Sequence, residues 1–91
     1  MAYKVKWENT AIEILDELDN SIRERIIVFF DKVSIKENPR SSGKPLTGTL
    51  KGLWRYRVGD YRIIADIQND ILVVLILYIA HRSVVYKINK V

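Results

Sequence analysis

Two clusters of residues in this 91-residue chain could carry chemistry. The first is Trp54-Arg55-Tyr56-Arg57-Val58-Gly59-Asp60-Tyr61-Arg62-Ile63. Alternating stretches flank Gly59-Asp60, and a glycine first in a two-residue loop suits a type II′ hairpin turn. Pairing across that loop sets Arg57 opposite Arg62, with Arg55 beside them on the same face. Trp54, Tyr56, Val58, Tyr61, Ile63 and Ala65 take the other face, which is then the core face. Like charges directly opposite one another destabilise a sheet by roughly 0.2–1 kcal/mol per pair. Three clustered guanidiniums are retained most easily around something anionic, and Asp66 offsets only part of their charge. Arginine forks fit phosphate. The bland alternative is a solvated basic face that holds no ligand.

The second cluster is Ala80-His81-Arg82-Ser83-Val84-Val85-Tyr86-Lys87, directly after the most apolar stretch of the chain. The end of a buried strand is a place where polar groups converge. His81 taken alone reads equally as a structural or exposed histidine, Arg82 as a surface charge and Tyr86 as a core aromatic. Their meaning depends on whether the segment lies beside the arginine face. Lys44 and Lys51 flank the preceding loop and are either further anion contacts or solvated charges.

Composition narrows the chemistry. Cysteine is absent, which removes thiol nucleophiles, thiolate metal sites and disulfides. A single histidine removes metal sites built from several imidazoles. The glycines and prolines of 39–49 lack phosphate-loop spacing. Neither paired carboxylates nor a serine triad can be assembled. The net charge is +4, and it is concentrated: residues 36–62 hold seven basic and two acidic side chains, whereas residues 1–35 are net acidic. An anionic partner fits that distribution. Tryptophans 7 and 54 and the two phenylalanines suit a core better than a base-stacking platform.

The elements that position these residues follow from periodicity. Tyr3 to Trp7 alternates as a first strand. Thr10-x-x-Glu13 and Ser21-x-x-Glu24 read as capping boxes opening two helices, separated at Asp19-Asn20. Ala11, Leu15 and Leu18, then Ile22, Ile26, Phe29, Phe30 and Val33, supply their apolar faces. So short a connection predicts an antiparallel helix pair. Residues 39–49 read as loop. Leu53 to Val58 and Tyr61 to Ile67 form the hairpin, and Ile71 to Ala80 reads as a strand buried on both faces, hence central. The first strand is expected beside the hairpin strands, and Ser83 to Val91 is a tail without assignment. The expectation is one α+β domain over 1–91, with two antiparallel N-terminal helices on a small, mostly antiparallel four-stranded sheet in the order β-α-α-β-β-β. A ten-residue apolar run is too short for a membrane span, which needs about 20, and the polar, alternating Met1 to Trp7 is not expected to be a signal peptide. The expected location is cytoplasmic.

Two strings in this order of elements resemble a known family. They are Leu50-x-x-Leu53-Trp54-Arg55-Tyr56-Arg57-Val58-Gly59-Asp60-Tyr61-Arg62-Ile63 and Ile79-x-His81-Arg82-x-x-Val85-Tyr86-Lys87. Over residues 1–87 the chain resembles RelE-type toxins of the RelE/ParE toxin–antitoxin superfamily. The resemblance implies a metal-independent endoribonuclease, without cofactor, that cleaves mRNA on the ribosome and so blocks translation. The ribose 2′-OH attacks the adjacent phosphorus and leaves a 2′,3′-cyclic phosphate and a 5′-OH. By family position, Arg62 and Arg82 stabilise the transition state and Tyr86 orients or stacks on the substrate. Arg55 and Arg57 stand where relatives carry basic residues, often lysines, one of them the proposed base. Arginine stays protonated, so Arg55 is a poor base. His81, the one side chain ordinarily titrating near neutrality, is the expected general acid or base. RNA contacts fall to Lys44, Lys51, Arg55 and Arg57. The resemblance also implies an antitoxin partner. Two alternatives stand beside it: a binding-only DNA gyrase inhibitor, as in ParE-like members, and a non-catalytic RNA- or ribosome-binding module.

Overall fold

Lys4–Trp7 forms the first strand (β1), with Val5 and Trp7 turned inward and both lysines outward. The structure is a computed structural model and describes residues 2–84. Two helices follow, Asn9–Glu17 (α1) and Asn20–Ser34 (α2). Both begin earlier than the capping boxes predict. Glu8 and Asp19 occupy the N-cap positions, and neither helix has a side-chain cap bond. The helical main-chain bonds run from the Ile12 N–H to the Glu8 carbonyl at 3.0 Å and from the Arg23 N–H to that of Asp19 at 2.9 Å. Ala11 and Leu15 of α1 and Ile26, Phe30 and Val33 of α2 are buried, at the spacing the apolar pattern predicts.

The segment read as loop contains a strand. Pro39–Ser42 and Gly48–Leu50 are 3-10 turns, and Gly43–Pro45 (β2) pairs antiparallel with Trp54–Val58 (β3). Three residues are too few to show a period of two, and Pro45 is tolerated because β2 is an edge. Side chains from β3 hold the 3-10 turn that leads into this strand. The Tyr56 hydroxyl donates to the Pro39 carbonyl at 2.9 Å, and the Trp54 indole N–H to that of Arg40 at 3.2 Å. The Arg40 guanidinium lies over the Trp54 ring, 5.7 Å from its centroid.

Tyr61–Gln68 (β4) and Val73–His81 (β5) complete a five-stranded mixed sheet in the order β1-β5-β4-β3-β2. Two expectations are thereby corrected. The sheet has five strands, not four, because of β2. The first strand pairs in parallel with β5, Lys4 against Val73 and Trp7 against Ile76, rather than with the hairpin. The hairpin's outer edge is occupied by β2, and the two helices supply the crossover that a parallel pair needs. β5 is an interior strand, paired with β1 and β4, as its apolar run predicts, but β4 is the middle strand and β5 is not buried on both faces, since Tyr78 is exposed.

The hairpin register is the expected one: Val58 faces Tyr61, Arg57 faces Arg62 and Trp54 faces Ala65. Gly59 has φ +59. Leu72 is the only non-glycine with positive φ among the described residues, so Asp60 is not left-handed. One positive φ, at the first loop position, is the type II′ pattern. The core lies on one sheet face. There Tyr56, Ile63, Ala65, Val74, Ile76 and Ile79 pack with α1 and α2. Phe30 meets Trp7, Phe29 and Tyr56 edge-on at 5.1–5.5 Å, so the aromatics are core, as expected.

Between β4 and β5 the register slips. Ile64 pairs with Tyr78, but the next residue, Ala65, pairs with Ile76. Leu77 is therefore an extra residue, a β-bulge. Up to that point Val74 and Ile76 point into the core; beyond it Ile79 does, a step of three rather than two.

Candidate functional site

The outer face of the sheet carries the basic residues. Arg55 and Arg57 leave β3 on the side away from the helices, because Tyr56 between them is buried in the core. Lys44 pairs with Arg55, so the first row across the face reads Lys44, Arg55, Ile64, Tyr78. The second reads Arg57, Arg62, Ala80. Lys44, Arg55 and Arg57 line a groove of about 210 Å³ together with Ser41, Ser42 and Gly43. The approach of β2 that forms this groove depends on Gly43. A Cβ there would collide with the Arg55 carbonyl and come within 2.8 Å of Trp54 Cδ1.

Arg62 is the one charged residue in the buried set, at 1% exposure. An unsatisfied buried guanidinium would be costly. Its Nη1 donates to the carbonyls of Gly59 at 3.2 Å and Tyr61 at 3.3 Å, so the hairpin turn's own dipoles help to hold the charge. On the same face Arg57 and Lys44 are exposed and Arg55 is half-buried, so these three, not Arg62, present charge at the surface.

The end of β5 is tied to the same turn. The Arg82 N–H donates to the Asp60 carbonyl at 2.8 Å, and Arg82 Nε lies 3.9 Å from Asp60 Oδ1. Both side chains are more than half exposed, so that ion pair adds little. The main-chain bond matters more, because it brings Arg82 to the end of the sheet that holds Arg57 and Arg62. Residues 82–84 begin in helical conformation. Tyr86, expected to contact substrate, lies outside the described residues.

His81 is placed differently from its neighbour. It pairs with Tyr61, whose parity is that of the helix-covered face, and the two rings meet edge-on at 5.4 Å. Its Nδ1 lies 3.0 Å from Ser83 Oγ and accepts the Ser83 N–H at 3.3 Å. An accepting Nδ1 puts the proton of a neutral ring on Nε2. The bulge explains the placement: one extra residue in β5 exchanges the faces of everything after it. It carries His81 off the arginine face and brings Tyr78 onto it. Lys51 caps the second 3-10 turn, exposed, and is not part of the groove lined by Lys44.

Two features were not visible in the sequence motifs. Arg57 also borders a wider groove of about 600 Å³ against α2, where Arg25 and Lys32 join it. Those two are seven apart, one helical face, but sit in the net acidic third of the chain. Tyr78 was hidden inside a continuous apolar run whose periodicity the bulge interrupts. Among the described residues no group of three His, Asp or Glu side chains is arranged to hold a metal ion.

Comparisons with known proteins agree with this architecture. Residues 5–86 match the family model described as ParE toxin of type II toxin–antitoxin system, parDE. The chain is 36% identical over 87 residues to Toxin RelE of Mycobacterium tuberculosis, covering 96% of this chain and 89% of that protein. It is 33% identical over 88 residues to Toxin RelG of the same organism, covering 96% and 99%. The toxin–antitoxin complex RelBE2 from Mycobacterium tuberculosis contains a chain that superposes with a TM-score of 0.81 at 32% identity, covering 90% of this chain and all of that one.

Proposed function

From the premise that this chain belongs to the ParE toxin family and is a RelE-like toxin of a type II toxin–antitoxin system, we propose that it cleaves mRNA on the ribosome. The observation that carries this reading is the convergence of Arg57, Arg62 and Arg82 at one end of the sheet, with Lys44 and Arg55 in the adjoining row. Cleavage by the neighbouring 2′-OH needs no protein nucleophile. It needs the ribose and phosphate aligned and the charge on the pentacoordinate phosphorus balanced. Arg57 and Arg82 are exposed and fit phosphate oxygens directly. Arg62 adds a fixed positive field from below, in a setting where water screens it little. Lys44, Arg55 and Lys51 hold the flanking backbone, and Tyr86 orients or stacks on the reacting nucleotide.

His81 is the candidate for proton transfer, since arginine cannot accept a proton. Its position on the Tyr61 side, with Nδ1 engaged by Ser83, favours a smaller role than that of the arginines. Positioning by the ribosome and electrostatic stabilisation then supply most of the rate. The cognate antitoxin is a protein segment that masks the basic face, and an acidic amphipathic segment is its natural mate. The related solved chain was captured in a toxin–antitoxin complex.

A second reading is a binding-only inhibitor of DNA gyrase, favoured by the ParE name of the matched family. Primer extension on a translated mRNA separates the two. Cuts at fixed codon positions that vanish in Arg57→Ala and Arg82→Ala support the ribonuclease. Uncut mRNA together with stalled replication contradicts it.

A further inference from the structure

Tyr78 is the one aromatic among the large hydrophobic side chains left exposed in the described residues, at 42%. A lone exposed aromatic needs no explanation by itself. The bulge makes this one different. Were Leu77 in regular alternation instead of bulged, the period-two pattern from Ile76 would turn Tyr78 into the core and leave His81 on the arginine face. A bulge interrupts the ladder, and bulges recur beside functional sites, where they re-aim side chains. Here the result is a phenol ring on the face of Arg55, Arg57 and Arg62, in the row of Lys44 and Arg55.

The surroundings suit a planar ligand. Ile64, next to Tyr78 in the row, is 7% exposed and gives a low apolar floor between the ring and Arg55. Ala80, the next outward residue along β5, is small. β1 stops at Trp7, opposite Ile76, so no described strand flanks Tyr78 on its other side. Tyr78 is the diagonal neighbour of Arg62, at a separation of roughly 7–8 Å. The face therefore divides into a cationic half on β2 and β3 and an aromatic half on β5. A single-stranded nucleic acid needs that combination, with backbone on the cations and a base on the ring.

We infer that Tyr78 is a base-stacking residue that holds a nucleobase next to the phosphate bound by the arginines and sets part of the sequence preference of cleavage. The inference rests on the ribonuclease reading for its cleavage readout, but its binding readout is independent of that reading. Stacking depends on the ring and not on the hydroxyl, so Tyr78→Phe is the conservative variant and Tyr78→Ala the disruptive one. Tyr78 is outside the core, so both should keep the wild-type thermal midpoint.

The test has two arms. In the first, a short single-stranded oligoribonucleotide is titrated against wild type, Tyr78→Phe and Tyr78→Ala, with and without one abasic position. The Ala variant should bind roughly 10–100-fold more weakly, the Phe variant within about threefold of wild type, and the abasic oligonucleotide should erase the difference. In the second, cut sites on translated mRNA are mapped for the same proteins, and Tyr78→Ala should flatten the preference at one nucleotide beside the cut. Equal binding by wild type and Tyr78→Ala overturns the inference. So does equal loss in the Phe and Ala variants, or a loss that appears only in antitoxin binding, which makes the ring a protein contact. Tyr78-dependent RNA binding without ribosomal cleavage supports the stacking role and overturns the ribonuclease reading instead.

Discussion

Arg57 and Arg62 face each other across a hairpin but live in different environments, one exposed and one buried. Their substitution should separate contact from support. If the proposed reading holds, Arg57→Ala and Arg82→Ala remove the groups assigned to the phosphate and should each lower kcat/KM by roughly 10²-fold or more, with the fold intact by circular dichroism. His81→Ala should cost less than about tenfold, because the ring stands on the Tyr61 side of the sheet. Single-turnover cleavage on programmed ribosomes measures all three, and a His81→Ala loss as large as that of Arg82→Ala would restore the histidine as the main proton carrier. Tyr56 makes a different kind of prediction. Burial pushes its phenol from 10.0 up to about 12, with the Arg40 charge pulling slightly the other way. The unfolded chain thus gives up this proton at lower pH than the folded one. The stabilisation is complete below about pH 10 and is lost as pH rises through 12, up to about 2–3 kcal/mol in all. Tyr56→Phe should flatten that part of the stability profile while losing the bond to Pro39, and urea unfolding from pH 9 to 12 would show it.

At the scale of elements, legibility followed the length of the pattern. The hairpin register was readable because Gly59-Asp60 fixes the turn type and alternation fixes the faces. Both helices were readable from their apolar spacing. Their starts were not, because Thr10 and Ser21 have capping chemistry but lie within the first turn, behind Glu8 and Asp19. β2 is three residues long, and only its pairing with the distant strand β3 defines it. The bulge in β5 was invisible for a related reason: a run apolar on both faces shows no change of phase when a residue is inserted. That one residue decides which of Tyr78 and His81 joins the arginines, so the candidate site was legible in its cations and not in its remaining partners. Gly43 tests the contribution of β2. Gly43→Ala forces a methyl group against the Arg55 carbonyl and should destabilise the protein by about 1–3 kcal/mol. Lys44 should shift with the strand, so RNA affinity should fall along with the denaturation midpoint. Wild-type stability in that variant would mean that β2 is held more loosely than its pairing implies.

For the whole molecule, the charge of +4 resolves into an arrangement. The acidic first third forms β1 and the two helices, and the basic middle forms β2, β3 and the hairpin end. The helices cover one sheet face and build the core, and the other face carries the cations of β2, β3 and β4. Among the described residues no helix is long and apolar enough to cross a membrane. A protein of this size has little stability to spare, since natural domains hold only about 0.05–0.15 kcal/mol per residue. The cationic face opposes that margin through self-repulsion, which a bound polyanion would relieve.

In the proposed reaction the substrate supplies its own nucleophile while the protein supplies positive charge. A ribosome-bound mRNA with a single 2′-deoxy substitution on the 5′ side of the mapped cut tests this most directly. The unmodified message should be cut to fragments ending in a 2′,3′-cyclic phosphate and beginning with a 5′-OH, and the deoxy message should stay whole. Cleavage of the deoxy message at the same position, or a 5′-phosphate on the product, would contradict it.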